Sequence, residues 1–116
     1  MNKITIKSYN QDWDYHKNFY YLFYIKNNLI GSYCIEDDGE YYTLSALYIQ
    51  EEFRGKGYSK ILLEHAIEKY KKLYLQVYIN NTKAINLYKK YKFQFSDPNK
   101  KDNRYLWMRN HDYDKK

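Results

Sequence analysis

Between residues 53 and 62 the chain reads FRGKGYSKIL. Two of its four glycines, Gly55 and Gly57, stand one residue apart there, fenced by Arg54 and Lys56. Helical spacing begins just after them. A loop that leaves a strand and opens a helix presents backbone N–H groups with no intrahelical partner, at the positive end of the helix dipole. Such a place suits phosphate. Gly55 and Gly57 permit a sharp turn and a close backbone approach, Ser59 keeps the entrance small, and Arg54 and Lys56 add charge. On spacing alone the stretch also fits an ordinary turn, because it is neither a dinucleotide fingerprint nor a Walker loop.

The other candidate groups are sparse. Tyr88 lies on an apolar face with Ala84, Leu87 and Tyr91, which by spacing is a core position. Asn81 stands where a helix needs its N-cap. Glu36 and Glu40 flank a hairpin turn, and no carboxylate occurs between Glu40 and Glu51. Cys34 is the one cysteine, so internal disulfides and cysteine-cluster zinc sites are excluded and a reduced, buried thiol is expected. No role is assigned to His16, His65 or His111, and no metal site is expected.

The elements that must position these groups follow from periodicity. A short strand is predicted over residues 3–9, then a polar stretch that is no long helix. Three β-prone runs come next, separated by Lys26-Asn27-Asn28 and by an acidic turn containing Asp38-Gly39, and form an antiparallel meander. Leu62, Leu63, Ala66, Ile67 and Tyr70 recur at helical spacing; Leu73, Leu75, Val77 and Ile79 alternate as in a strand. Strand, helix and strand make a crossover unit, so the strands near 41–49 and 73–79 run parallel. A second helix capped by Asn81 or Thr82 leads to strands at Phe93–Ser96 and Tyr105–Met108, with a polar loop through Pro98 to Asn103 between them. The fold class is therefore α/β, with a mixed, mostly antiparallel sheet.

At 116 residues the chain is expected to form one domain over residues 1–110, with a frayed tail at 111–116. Neither a membrane span nor a signal peptide is apparent, which points to a soluble, cytoplasmic protein without membrane partners. The net charge of +6 favours an anionic ligand. Seventeen tyrosines spread along the whole chain read as compositional bias; a nucleic-acid surface would gather them on one face.

ALYIQEEFRGKGYSKILLEHAIE resembles the pyrophosphate-binding motif of the GCN5-related N-acetyltransferase (GNAT) family, with Arg54, Gly57 and Ser59 at its defining positions. VYINNTKAINLYKKYKF resembles that family's second signature through Asn81, Ala84, Leu87, Tyr88 and Phe93. The resemblance covers about residues 41–108. It implies the acyl-CoA N-acyltransferase fold, with acetyl-CoA as cosubstrate in a cleft where the fourth and fifth strands splay apart. Main-chain groups of Leu47, Tyr48 and Ile49 would pair with the pantetheine arm. The loop Gly55, Lys56, Gly57, Tyr58 and Ser59 would hold the pyrophosphate, Arg54 would anchor the loop, and Asn81 would bond the cofactor arm or start the helix. Tyr88 would assist departure of the thiolate. The implied reaction is direct attack of a small-molecule or peptide amine on the thioester.

Three departures from the family pattern stand out. Lys92 replaces the usual Gly before the aromatic. Thr43 stands where some members carry a glutamate base. Only NQDWDYHKNF fills the space where two helices normally wall the acceptor pocket, so that pocket is expected to be open, shallow or completed by a second subunit in a homodimer. A non-catalytic acyl-CoA-binding or partner-binding module is the alternative reading.

Overall fold

The computed structural model describes residues 3–13, 16–96 and 104–111. The loop from Pro98 to Asn103 and all but the first residue of the HDYDKK tail lie outside the described residues. Four strands form a continuous antiparallel meander: β1 (Ile4–Trp13), β2 (His16–Ile25), β3 (Asn28–Asp37) and β4 (Tyr42–Ile49). A 3-10 turn (Glu51–Phe53) leads to α1 (Tyr58–Tyr70), then β5 (Tyr74–Tyr78), α2 (Thr82–Lys90), β6 (Gln94–Ser96) and β7 (Tyr105–Arg109). The sheet order is β1-β2-β3-β4-β5-β7-β6, and β4–β5 is its parallel pair.

The polar stretch after residue 9 differs from expectation. Asn10, Gln11 and Asp12 continue β1 and pair with Phe19, Asn18 and Lys17. Backbone pairing to β2 stabilises these residues despite their weak strand preference, and Tyr9 stacks on Tyr20 across the ladder with ring centroids 4.7 Å apart. The first strand is therefore ten residues long, and the polar stretch belongs to its ladder with β2.

Turn chemistry explains the tight connections. Lys26 and Asn27 both adopt positive φ, 49° and 65°, as a two-residue hairpin requires. Asp38 closes the next hairpin by accepting the N–H groups of Glu40 and Tyr41 at 2.9 and 2.8 Å. Lys92, where a glycine would be unstrained, sits at φ 70° after α2.

Both helices cover one face. Leu62, Leu63 and Ala66 of α1 and Ile85 of α2 join one core with Phe23, Tyr33, Ile35, Leu44, Leu75 and Met108 from the sheet. Tyr91, at the end of α2, donates to the Glu64 carboxylate of α1 and so links the two helices. Side chains alternate along each strand, and the second face, carrying Tyr9, Tyr20, Cys34 and Tyr78, is uncovered by helix among the described residues. Tyr9 and Tyr78 are exposed there.

His65 of α1 is enclosed by the rings of Tyr21, Phe23 and Tyr33, and its Nδ1 lies 2.6 Å from the Tyr33 hydroxyl. Burial, with a smaller contribution from nearby Lys69, holds the imidazole below its ordinary pKa. The unfolded chain then takes up the proton first as pH falls, so His65 contributes its full stability above about pH 6.5 and loses it below. The urea midpoint should therefore fall between pH 7 and 5.5. In His65→Gln, which keeps an acceptor for the Tyr33 hydroxyl, that fall should be markedly smaller; an equal fall would show that other groups carry the pH dependence.

Candidate active site

The site begins with an irregularity in β4. Ser32 faces Tyr48 but Cys34 faces Ser45, so β4 carries one extra residue opposite Tyr33. Ala46 takes up that residue at φ 51°, a left-handed conformation that costs a non-glycine residue about 1–2 kcal/mol. A bulge bends its strand. The parallel pairing of β4 with β5 covers Thr43↔Tyr74 and Leu44↔Leu75 and goes no further. Gly31 lets the bent end settle onto β3, because a Cβ there would lie 2.6 Å from the Tyr48 carbonyl oxygen and 2.9 Å from Ile49 Cδ1.

Beyond the bend, Arg54 ties the loop down. Its Nε donates to the Ile49 carbonyl at 2.9 Å, and its guanidinium lies over the Tyr48 ring, 5.0 Å from the centroid. Gly55 and Gly57 follow at φ 78° and 86°, and a Cβ on either would meet nothing within 4 Å. Their absent side chains serve the backbone direction, and the space before them is open. Gly57 is the N-cap of α1; no side chain caps it, and the first turn holds no acidic residue. The leading N–H groups of α1 are thus available to an anion.

A cavity of about 610 Å³ joins these parts. Leu47, Tyr48 and Ile49 form one wall, Arg54, Gly55, Gly57, Tyr58 and Ser59 the floor, and Asn81, Leu87 and Tyr88 of the α2 region the far side. Asn81 Oδ1 accepts the Ala84 N–H at 3.2 Å, so it caps α2 while lining the cavity. Burial raises the Tyr88 phenol above its ordinary pKa, and its ring leans on Phe93 at 5.8 Å between centroids. Lys56 is the exception among the residues expected to hold the cofactor or its leaving thiolate. It does not line the cavity, and its Nζ lies 5.8 Å from the Phe53 ring centroid.

Sequence reasoning missed Lys60, Lys83, Asn86 and Lys90, which also line the cavity. Lys83, Asn86 and Lys90 are spaced three and four residues apart, which puts them on one stripe of α2 once Asn81 is fixed as its cap. An uncapped helix start, a cluster of lysines and an unpaired strand end fit a ligand with phosphates at one end and an extended amide arm at the other.

Residues 3–93 match the model of a family described as the Acetyltransferase (GNAT) family. The chain belongs to that family. Among its relatives is the spermine/spermidine N(1)-acetyltransferase of Bacillus subtilis (strain 168), 39% identical over 59 residues that cover 46% of this chain and 39% of that protein. The fold is shared with the PaiA N-acetyltransferase from Thermoplasma acidophilum, solved in complex with coenzyme A. That comparison has a TM-score of 0.69 and 23% identity over 79% of this chain and 59% of that one. The ribosomal-protein-S18-alanine N-acetyltransferase from Escherichia coli superposes with a TM-score of 0.73 at 16% identity, covering 92% of each chain.

The loop geometry gives a direct test. Gly57→Ala forces an alanine into the left-handed region at a cost of about 1–2 kcal/mol. If relaxation of the loop turns the α1 N–H groups aside, acetyl-CoA affinity should fall between about fivefold and thirtyfold in calorimetric titration. Unchanged affinity would show that the loop does not grip the ligand.

Proposed function

We propose that this chain transfers an acetyl group from acetyl-CoA to an amine by direct attack on the thioester, with no metal. The observation that carries this reading is the parting of β4 from β5 beside the uncapped start of α1. It leaves the outer edge of Leu47, Tyr48 and Ile49 free to pair with a pantetheine arm as a further strand would. The N–H groups from Gly55 to Ser59 hold the pyrophosphate, Arg54 keeps the loop in place, and Lys60, Lys83 and Lys90 add positive charge around it. A backbone N–H near Tyr48 or Ile49 polarises the thioester carbonyl. Asn81 starts α2 and presents the rest of its amide to the cofactor arm. Lys56 adds charge from outside the cavity.

Tyr88 serves the leaving thiolate as a hydrogen-bond donor. A phenol of ordinary pKa giving its proton to a thiolate runs uphill by about 2 kcal/mol. Burial raises the Tyr88 phenol further and increases that cost. Donation of a hydrogen bond to the developing charge avoids it.

The acceptor is a small alkylamine or a peptide amine. The relatives named for spermine and spermidine make polyamines the first compounds to test. The second sheet face, which no helix covers among the described residues, leaves the acceptor side shallow, and a second copy of the chain would complete it as a homodimer. No helix among the described residues is long and apolar enough to cross a membrane. A buried, unpaired Cys34 suits a reducing compartment, and we place the protein in the cytoplasm.

A thiol-release assay with acetyl-CoA against polyamines, amino acids and peptides should show turnover with at least one amine. Binding of acetyl-CoA without turnover on any of them would instead favour a non-catalytic module. Tyr88→Phe should lower kcat by roughly a hundredfold while acetyl-CoA affinity stays within about twofold. Equal turnover in the two proteins would remove Tyr88 from the mechanism.

A further inference from the structure

An amine that attacks a thioester must shed a proton, and β4 itself offers no carboxylate to receive it. We infer that Glu36 on β3 and Ser45 on β4 form the proton-accepting pair for the acceptor amine. The inference rests on the acetyl-transfer reading. Glu36 stands opposite Thr43, and Cys34 opposite Ser45. Tyr33, Ile35 and Leu44 point into the core beneath the helices, so strand alternation turns Cys34, Glu36, Thr43 and Ser45 to the uncovered face.

Ser45 is also the first residue of β4 beyond its last pair with β5. Its hydroxyl thus stands at the closed end of the gap, on the opposite side of the sheet from the cavity floor. An amine arriving over the uncovered face meets this hydroxyl as it nears a thioester held in the gap. Ser45 Oγ lies 3.5 Å from Glu36 Oε1, the outer limit of a hydrogen bond. Contacts of this kind commonly tighten only when substrate is bound.

The groups around Glu36 suit the role. Asn18 and Tyr20 face it from β2, Cys34 lies beside it on β3, and Thr43 and Ser45 face it from β4. Glu36 is exposed, so solvent reaches its carboxylate, whereas burial pushes the Cys34 thiol up and keeps it protonated.

The step balances as follows. The nitrogen lone pair forms the N–C bond. The nitrogen's proton passes to Ser45 Oγ while the Ser45 hydroxyl proton passes to the Glu36 carboxylate. The C–S bond breaks, and its electron pair leaves on sulfur against the Tyr88 hydroxyl. Timing matters: an alkylammonium has no lone pair and is about six orders of magnitude too weak an acid for a carboxylate. It first releases one proton to water, and the neutral amine is what attacks. Once the N–C bond begins to form, the nitrogen is far more acidic and the transfer becomes accessible.

Glu36→Gln, Ser45→Ala and the double variant test the pair. Each single change should lower kcat by about tenfold to a hundredfold. The double variant should be no slower than the slower single one, since groups acting as a unit are lost together. Calorimetric affinity for acetyl-CoA and the thermal midpoint should stay at wild-type values in all three. Wild-type turnover in Glu36→Gln, losses that multiply in the double variant, or a loss of acetyl-CoA affinity would overturn the inference while leaving acetyl transfer intact. A wild-type protein that binds acetyl-CoA but acetylates no amine would overturn the acetyl-transfer reading, and the pair with it.

Discussion

The parallel ladder between β4 and β5 holds at Thr43–Tyr74 and Leu44–Leu75 and then ends, because β4 bends away at Ala46. The rest of the molecule is arranged around that bend. Gly31 leaves room for the displaced strand end, and the core formed by Leu62, Leu63, Ala66 and Leu75 holds α1 across the sheet beneath it. Loss of a buried leucine of this kind costs about 2–5 kcal/mol. Together these contacts hold the bent end of β4 in place.

Charge and backbone polarity then separate the two ends of the gap. On the helix side, the uncapped start of α1 faces a cavity lined by Arg54, Lys60, Lys83 and Lys90. On the other side of the sheet, Ser45 and Glu36 stand next to the last β4–β5 pair, on a face rich in tyrosines. In the proposed reaction, a phosphate-bearing donor and an amine acceptor would approach from opposite sides of one sheet. Tyr88 stands among the cavity's apolar residues, where a phenol remains neutral and able to donate a hydrogen bond.

Much of this was legible in the sequence for identifiable reasons. The helical spacing of Leu62, Leu63 and Ala66 and the alternation of Leu75 and Val77 reflect burial directly, so the crossover unit could be read with its parallel strands. Asn81 and the Gly55–Gly57 pair are residue types that helix starts and turns select. Other features leave little local trace. Asn10, Gln11 and Asp12 are strand residues only because β2 is there to pair with them. Ala46 has no side-chain signature for a bulge; the extra residue is visible only in the register of β3 against β4. The cavity role of Lys83 and Lys90 was hidden because surface lysines abound in this chain, and a helical stripe becomes meaningful only once its neighbour is known. Lys56 shows the converse: it stands between two lining glycines in sequence, yet it is not among the cavity's lining residues, and its Nζ lies by the Phe53 ring.

The central claim is that the bent end of β4 and the start of α1 grip one ligand together. Amide chemical-shift mapping during titration with acetyl-CoA tests it most directly. The largest changes should fall on Gly55, Gly57, Tyr58 and Ser59 and, in the same titration, on Leu47, Tyr48 and Ile49, with β1 and β2 little affected. Saturation that leaves the loop and the end of β4 unmoved, or that shifts one without the other, would contradict the account.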